Sequence, residues 1–451
     1  ETSAAVSIAS TFHKFALDIV KKHGDHPEIL NETAQAKLVR EALAYALDQS
    51  KLKLPPKDYQ DTLKIVSGFI TRAGQKYPGL TNLPKLKSDI TEYIARHGGD
   101  QDYNRNLFLH KISYLAYAHY LNSLAPPATD FNLSRATQIL ETEPRASNYL
   151  GQYKYLMIDE YQDFSYLFFA LTSAIRYLRS AVKIFAVGDD WQAINRFAGS
   201  DVDYFINFEH YFPEDYANIP LATNYRSCRK IVEFANDYML QHYDPKAIRA
   251  IPFNHQSGRI CRVILQKVKY NSGDYAEDAL ADGRFLDALL RALAAENSSV
   301  SLSPKALKSL IPAAKLLKSL YKIFKKHSRS EIMLLHRHNF TSVPNVTLDV
   351  LFSALRILII EEGIMTDATF TEKVRCMTMH KSKGLESEIV ILLEMDAEII
   401  KSHHPHSTIF EIFGDTLAAE SADQDRLIYV ALTRAKERLY LVLANKSTAP
   451  L

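Results

Sequence analysis

Six short, nearly continuous apolar runs stand out along the chain: 153–158 (YKYLMI), 183–187 (KIFAV), 331–335 (EIMLL), 374–379 (VRCMTM), 389–394 (IVILLE) and 438–443 (RLYLVL). Each has the length and composition of a strand buried on both faces. Between them lie stretches such as 164–179 (FSYLFFALTSAIRYLR) and 423–436 (DQDRLIYVALTRAK), too long for strands and apolar at helical spacing. Strands alternating with helices predict an α/β fold built on a doubly wound parallel sheet. Residues 21–149 carry little strand signal. Pro55-Pro56, Pro78-Gly79, Gly98-Gly99 and Pro126-Pro127 punctuate helix-like segments there, which predicts a helical insertion. A second helical stretch, rich in lysine, interrupts the later α/β region near 275–328. No repeat or long low-complexity segment is visible.

Composition narrows the picture. A chain of 451 residues is long enough for two to four domains, which excludes a single small binding module. Fifty-four basic and 52 acidic side chains leave a formal charge of +2, so any preference for nucleic acid or membrane has to come from local patches. Cys228, Cys261 and Cys376 lie far apart with no CxxC pair, arguing against a disulfide framework or structural zinc and for a reducing compartment. No apolar run approaches the roughly 18 residues of a membrane helix, and no signal-type N-terminus is present, so the expectation is a soluble cytoplasmic protein without membrane partners.

The candidate chemistry sits where strands end. In YLMIDEYQD an apolar run delivers Asp159 and Glu160, followed by Gln162 and Asp163. Consecutive strand residues face opposite ways, so two adjacent carboxylates serve one site only where the strand has just ended. That is the crevice in which open α/β sheets bind ligands. One carboxylate can hold magnesium while its neighbour orients or deprotonates a water for attack on a phosphate. An acidic N-capping turn is the plain alternative. About 25 residues later FAVGDDWQAINRFAGSD repeats the arrangement: the run ends at Val187, Gly188 and Asp189 turn the chain, and Gln192 follows. Phe197 offers a face for a nucleobase, or else a core ring.

Together DEYQD, GDDWQAINRF, NYRS, MHKSKGLE and YVALTRA resemble the ordered motifs of UvrD/Rep-type superfamily-one DNA helicases, and the GDDWQAI form is most similar to the helicase IV branch. STFHKFALDIV at residues 10–20 is similar to the family's TFH segment, which lines the single-strand channel, and so assigns Thr11, Phe12 and His13 to DNA. The resemblance runs from residue 10 to about 444. It implies two RecA-like domains that clamp ATP and magnesium and move along single-stranded DNA in the 3′–5′ direction, separating strands at duplex junctions in repair or recombination near the nucleoid. The implied first RecA-like domain comprises 1–20 and 150–219, incomplete at its N-terminus, with 21–149 as insertion. The second comprises 220–274 and 329–451, with 275–328 as a basic helical insertion. By the same resemblance Asp159 binds the metal, Glu160 positions the water, and Gln192 contacts the terminal phosphate. Arg226 and Arg434 reach the phosphates from the second domain, work that suits an always-charged planar fork of donors. Glu386 and Gly384 lie near the nucleotide with Asp189, while Phe197, Thr378, His380 and Ser382 fall where the family meets DNA.

Three departures qualify this. No GxxxxGK[ST] occurs in the 451 residues, and Lys383 beside a single glycine does not make a phosphate loop. The expectation is an N-terminally truncated fragment, inactive alone as an ATP hydrolase, or else a member that has lost the loop. Asn195 stands where relatives carry an aromatic residue, removing one stacking platform. Only a short stretch separates Arg337 from MHKSKGLE, where many relatives insert an accessory domain. Residues 301–330 contain seven Lys and one Arg with no acidic residue, a basic amphipathic pattern that is either a solvated face or a DNA contact. His403, His404 and His406 read as a loop rather than a metal cluster. Three functions compete: the helicase, a non-catalytic DNA-binding or regulatory paralogue, and a fragment of a helicase-nuclease. No carboxylate-rich nuclease segment supports the last.

Overall fold

A computed structural model describes residues 9–25, 31–96, 103–124, 132–150, 153–213, 216–242, 248–254, 256, 258–265, 283–296, 304–396 and 407–443. The chain forms two compact units: Glu1–Tyr216 with His403–Glu420, and Ala217–Ser402 with Ser421–Leu451.

In the first unit, α1 (Phe12–His23) starts where the Thr11 hydroxyl accepts from Lys14 N–H and stops at Gly24, whose φ of 103° suits glycine. Four longer helices follow, α2 (Glu32–Gln49), α3 (Pro56–Lys76), α4 (Leu83–Arg96) and α5 (Tyr103–Ser123), then α6 (Asn132–Thr142). The prolines at 55 and 56 open α3 with the helix's first N–H already absent. Leu43, Ala46, Val66, Phe69, Leu86, Ala116 and Tyr117 make one apolar core from α2 to α5. The strands β1 (Tyr155–Ile158) and β2 (Lys183–Ala186), joined by α7 (Tyr166–Leu178), pair in parallel, Ile158 opposite Ala186.

The second unit holds a two-stranded parallel sheet of β3 (Thr223–Cys228) and β4 (Ile251–Asn254), with α8 (Arg229–His242) between them. Its main sheet has five parallel strands in the order β5-β9-β8-β6-β7: β5 (Arg259–Ile264), β6 (Ile332–His336), β7 (Val374–Thr378), β8 (Ser387–Leu392) and β9 (Ala435–Leu443). Helices α9 (Gly283–Ala295), α10 (Pro304–Lys326), α11 (Leu348–Glu361) and α12 (Asp367–Lys373) join it, and Leu317, Phe324, Leu334, Leu351, Leu355 and Ile391 share its core. Helix α13 (Leu417–Leu432) precedes β9.

All six expected strands form, and the α/β class with parallel sheets holds. Three features differ from expectation. Strands β3, β4 and β5 went unread because TNYRSC and RICRVI mix polar and apolar residues as half-covered strands do. Strands β1 and β2 are not buried on both faces: Leu156, Ile158 and Ile184 face the core, whereas Tyr155, Met157 and Phe185 are 62%, 72% and 52% exposed. The final stretch of the chain is also divided. The described residues 407–420 pack with the first unit, where Ile409 and Phe410 sink into the helical core. The Arg72 guanidinium lies 4.1 Å over the Phe410 ring and its Nε donates to Asp415 at 2.6 Å. The histidines at 403, 404 and 406 lie outside the described residues. Among the described residues no helix is long and apolar enough to cross a membrane, and all three cysteines are free.

His110 on α5 is fully buried against Phe69 and Tyr93, and among the described residues neither ring nitrogen has a hydrogen-bond partner. Burial pushes its pKa down to about 4. As pH falls, the unfolded chain takes up this proton first, so stability is lost between about pH 6.5 and pH 4. His110→Phe is expected to remove about 3 kcal/mol of that loss, read as a flatter dependence of the urea midpoint on pH between 7 and 4.

Candidate functional site

Parallel pairing delivers two turns side by side at the carboxyl ends of β1 and β2. Val187 N–H donates to Ile158 O at 2.9 Å and Tyr161 N–H to Val187 O at 2.8 Å, so the DEYQD and GDD segments leave the sheet together. Asp159 and Glu160 are both exposed, as a ligand-facing pair has to be. Asp159 Oδ1 accepts from Glu160 N–H at 2.9 Å, leaving Oδ2 unengaged by any described residue. Glu160 adopts a left-handed backbone (φ 51°, ψ 42°), uncommon for a residue with a Cβ and frequent at functional turns.

Gln162, 1% exposed, ties the two turns together. Its Nε2 donates to Glu160 Oε2 and its Oε1 accepts from Asp189 N–H at 3.0 Å. A Cβ on Gly188 would stand 2.6 Å from Gln162 Oε1 and 2.8 Å from the Phe205 ring, so only glycine lets the second turn approach this closely. Asp189 then spends one oxygen on Trp191 N–H (3.1 Å) and the other on Gln192 Nε2 (2.6 Å). It orients Gln192 rather than standing open to a ligand of its own. Asn195, noted above as a departure from the family pattern, donates to Asp163 Oδ2 at 2.8 Å and pins the first turn.

Phe197 projects from the short turn Arg196–Ala198 with 53% of its surface exposed, so it is not a core ring. Thr11 caps α1, His13 is exposed beside Phe168 at 5.8 Å, and Phe12 stacks on Phe168 at 4.4 Å and meets Phe164 edge-on at 5.7 Å. The Phe12 ring is thus committed to packing.

In the second unit Arg226 Nε donates to Glu386 Oε2 at 2.8 Å, and Lys436 Nζ meets the other oxygen at 2.7 Å. Hydrogen bonds from Lys436 and then Arg226 hold the Glu386 carboxyl below its ordinary range. Gly384, at φ 79°, makes the turn that brings Glu386 there. Arg434 is 1% exposed: its guanidinium donates to Val430 O (2.9 Å), Leu385 O (3.2 Å) and Thr433 Oγ1 (3.2 Å). The expectation of an arginine extended toward phosphate does not describe this side chain, which here fastens YVALTRA to KSKGLE. Ser382 is fully buried with its hydroxyl on Met379 O at 2.6 Å, so it shapes the turn after β7 rather than facing a ligand. Thr378 ends β7 opposite His336. Burial, then the charges of Arg337 and His338, push the His380 pKa down to about 4, keeping that ring neutral at pH 7.

Family models decide the kinship. The UvrD/REP helicase N-terminal domain matches residues 2–213 and the UvrD-like helicase C-terminal domain matches residues 289–446. The chain belongs to the UvrD/REP helicase family. It is 25% identical to DNA helicase IV of Escherichia coli over 98% of its own length and 58% of that protein's. Against ATP-dependent DNA helicase PcrA of Staphylococcus aureus the identity is 24%, over 54% of the chain and 31% of the relative. Against PcrA of Leuconostoc citreum it is 23%, over 50% and 28%. The chain therefore spans little more than half of the first relative and less of the others. UvrD domains imply RecA-like folds for both units.

Sequence reasoning missed a polar cluster at the carboxyl edge of the main sheet. His336 ends β6, and its Nε2 lies 2.8 Å from Glu394 Oε2, just past β8. Burial opposes ionisation of Glu394, yet hydrogen bonds from His336 and Ser342 hold its pKa below the usual range. Next to it His338 and the exposed Phe340 stack at 5.0 Å. The one available signal was a polar residue at the end of two of the apolar runs, His336 after EIMLL and Glu394 closing IVILLE.

The Gly188 contact is directly testable. Gly188→Ala is expected to cost roughly 1–3 kcal/mol by overpacking, measured by urea unfolding. Gly283→Ala, where an added Cβ meets nothing within 4 Å, serves as the neutral control.

Proposed function

We propose that the chain is the motor portion of an ATP-dependent DNA helicase that moves 3′–5′ on single-stranded DNA and parts the strands of a duplex junction, in repair or recombination. The observation that carries the reading is the Gln162 bridge, which holds Glu160 against the Asp189 turn while leaving Asp159 open. Magnesium characteristically takes one or two carboxylates and fills its shell with water and phosphate oxygens. An exposed Asp159 with an unengaged oxygen fits that demand, and among the described residues no group of three His, Cys, Asp or Glu forms a larger cage. The metal would neutralise charge developing on the phosphates. Glu160, held by Gln162, orients the attacking water, and Gln192, held by Asp189, meets the terminal phosphate. Arg226 supplies cationic donors to phosphate once it leaves Glu386, which turns toward the nucleotide sugar beside Gly384. Phe197 stacks on a base of the strand, with Thr11, His13, Thr378 and His380 along the same strand.

A second reading, a DNA-binding relative without turnover, is favoured by one observation: these 451 residues contain no GxxxxGK[ST]. Amides of such a loop cradle the phosphates, so turnover requires that cradle from outside this sequence. DNA-stimulated ATP hydrolysis separates the readings. A protein carrying this chain together with a phosphate loop is expected to turn over, the chain alone is not, and Glu160→Gln is expected to lower turnover by a factor of about 10² or more while nucleotide binding persists. Turnover unchanged by Glu160→Gln would remove that residue from the water site.

Phe197→Ala is expected to weaken single-strand binding by about 1–3 kcal/mol and to leave nucleotide affinity in place. Fluorescence anisotropy with a labelled oligonucleotide measures the first, and a fluorescent nucleotide the second.

A further inference from the structure

Helix α10 divides sharply into two faces. Leu310, Ala313, Leu316, Leu317, Leu320, Tyr321, Ile323 and Phe324 are buried in the core of the second unit. On the other side Lys308, Lys322, Lys325 and Lys326 are exposed, and Lys315 and Lys318 are half-buried. At 100° per residue, Lys308, Lys315, Lys322 and Lys326 fall within about 40° of one another, and the remaining two lie less than a third of a turn away. The stripe runs about 27 Å along the axis at 1.5 Å per residue.

None of these six ammonium groups has an acidic partner among the described residues. The nearby carboxylates are already taken: Glu361 is held by Arg291, and Glu362 by Arg284 and Tyr321. Lys318 with Lys322, and Lys322 with Lys326, are like charges one turn apart, an arrangement that weakens a helix. A helix needing only to be solvated gains from interleaved glutamates, and this one has none from 301 to 330.

We propose that this lysine stripe is a docking surface for the phosphate backbone of duplex DNA. Charge complementarity selects a polyanion, and the absence of aromatic rings from the stripe selects duplex over single strand. Single-strand sites combine cations with stacking platforms, whereas Tyr321 and Phe324 on this helix are both turned into the core. Duplex is held through its phosphates alone, one charge per ~1.7 Å of axis, with no base opened to stack upon. The stripe shares no residue with those assigned to nucleotide or single strand, so it sets grip and orientation rather than turnover.

The inference rests on the reading of the chain as a DNA translocase, and the experiment separates the two. Binding without ATP is measured by anisotropy from low to moderate salt, using a blunt-ended duplex with one single-stranded tail and the tail alone. The full chain is compared with a Lys308→Gln, Lys315→Gln, Lys322→Gln, Lys326→Gln variant whose melting by circular dichroism matches the parent. On the tailed duplex the slope of log affinity against log salt is expected to fall by about 3.6, at ~0.9 for each of four lost phosphate contacts, with the tail alone bound as before. An unchanged slope on the tailed duplex overturns the duplex surface while leaving the motor reading in place. Equal losses on both substrates overturn it too, by assigning the lysines to the single strand. Failure of the parent chain to bind either substrate overturns both readings.

Discussion

One buried amide organises the first unit's chemistry. Two parallel strands ending together bring two acidic turns within reach of each other, where like charge alone would push them apart. Gln162 resolves this by donating to a carboxylate on one side and accepting from a backbone N–H on the other. Because the side chain is neutral and has both a donor and an acceptor, it joins the turns without neutralising either carboxylate. The left-handed backbone at Glu160 and the missing Cβ at Gly188 are the local conditions under which this link closes. A charged residue at 162 would offer only donors or only acceptors and would break one side of it.

The second unit is organised around a carboxylate instead. Glu386 gathers Arg226 from β3 and Lys436 from β9, so three segments distant in sequence meet at one side chain. The backbone supports the same junction: Ser227 Oγ donates to Ala435 O at 2.7 Å, Ser387 N–H to Arg434 O at 3.0 Å, and an Arg375 guanidinium nitrogen to Glu386 O at 2.7 Å. Since those bonds do not involve the Glu386 carboxylate, the ion pairs can exchange for a ligand without the scaffold being rebuilt.

The sequence was legible where burial is one-sided in its demands. Apolar runs located the six strands, in the main sheet because a residue buried on both faces tolerates little else. Carboxylates at 159 and 160 and glycine at 188 were readable because each follows such a run directly. What escaped was set by partners distant along the chain. Nothing near Asn195 points to Asp163, 32 residues away along the chain. Exposure of Tyr155 and Met157 was equally hidden, since hydrophobicity states what a side chain prefers and not whether a neighbour covers it. The packing of Ile409 and Phe410 was hidden for the same reason: they find their core among helices encoded some three hundred residues earlier.

The two arginines assigned to phosphate by motif differ in what presenting them requires. Arg226 and Glu386 are both about a third exposed or more, and an ion pair in such a setting is worth up to about 1 kcal/mol. A phosphate bearing two negative charges competes with that pair readily, and Glu386 keeps Lys436 as counter-ion after Arg226 turns away. Arg434 has three acceptors satisfied in a nearly solvent-free position, one of them a carbonyl at the carboxyl end of α13, where a cation is further favoured. Withdrawing it leaves Val430 O and Leu385 O without this donor and moves a charge through a buried setting. Freeing Arg226 therefore breaks one partly exposed ion pair, whereas freeing Arg434 breaks hydrogen bonds to both the turn at 430–434 and the loop at 385. A ligand that recruited Arg434 would couple those two segments, and with them the junction at Glu386, in a single step.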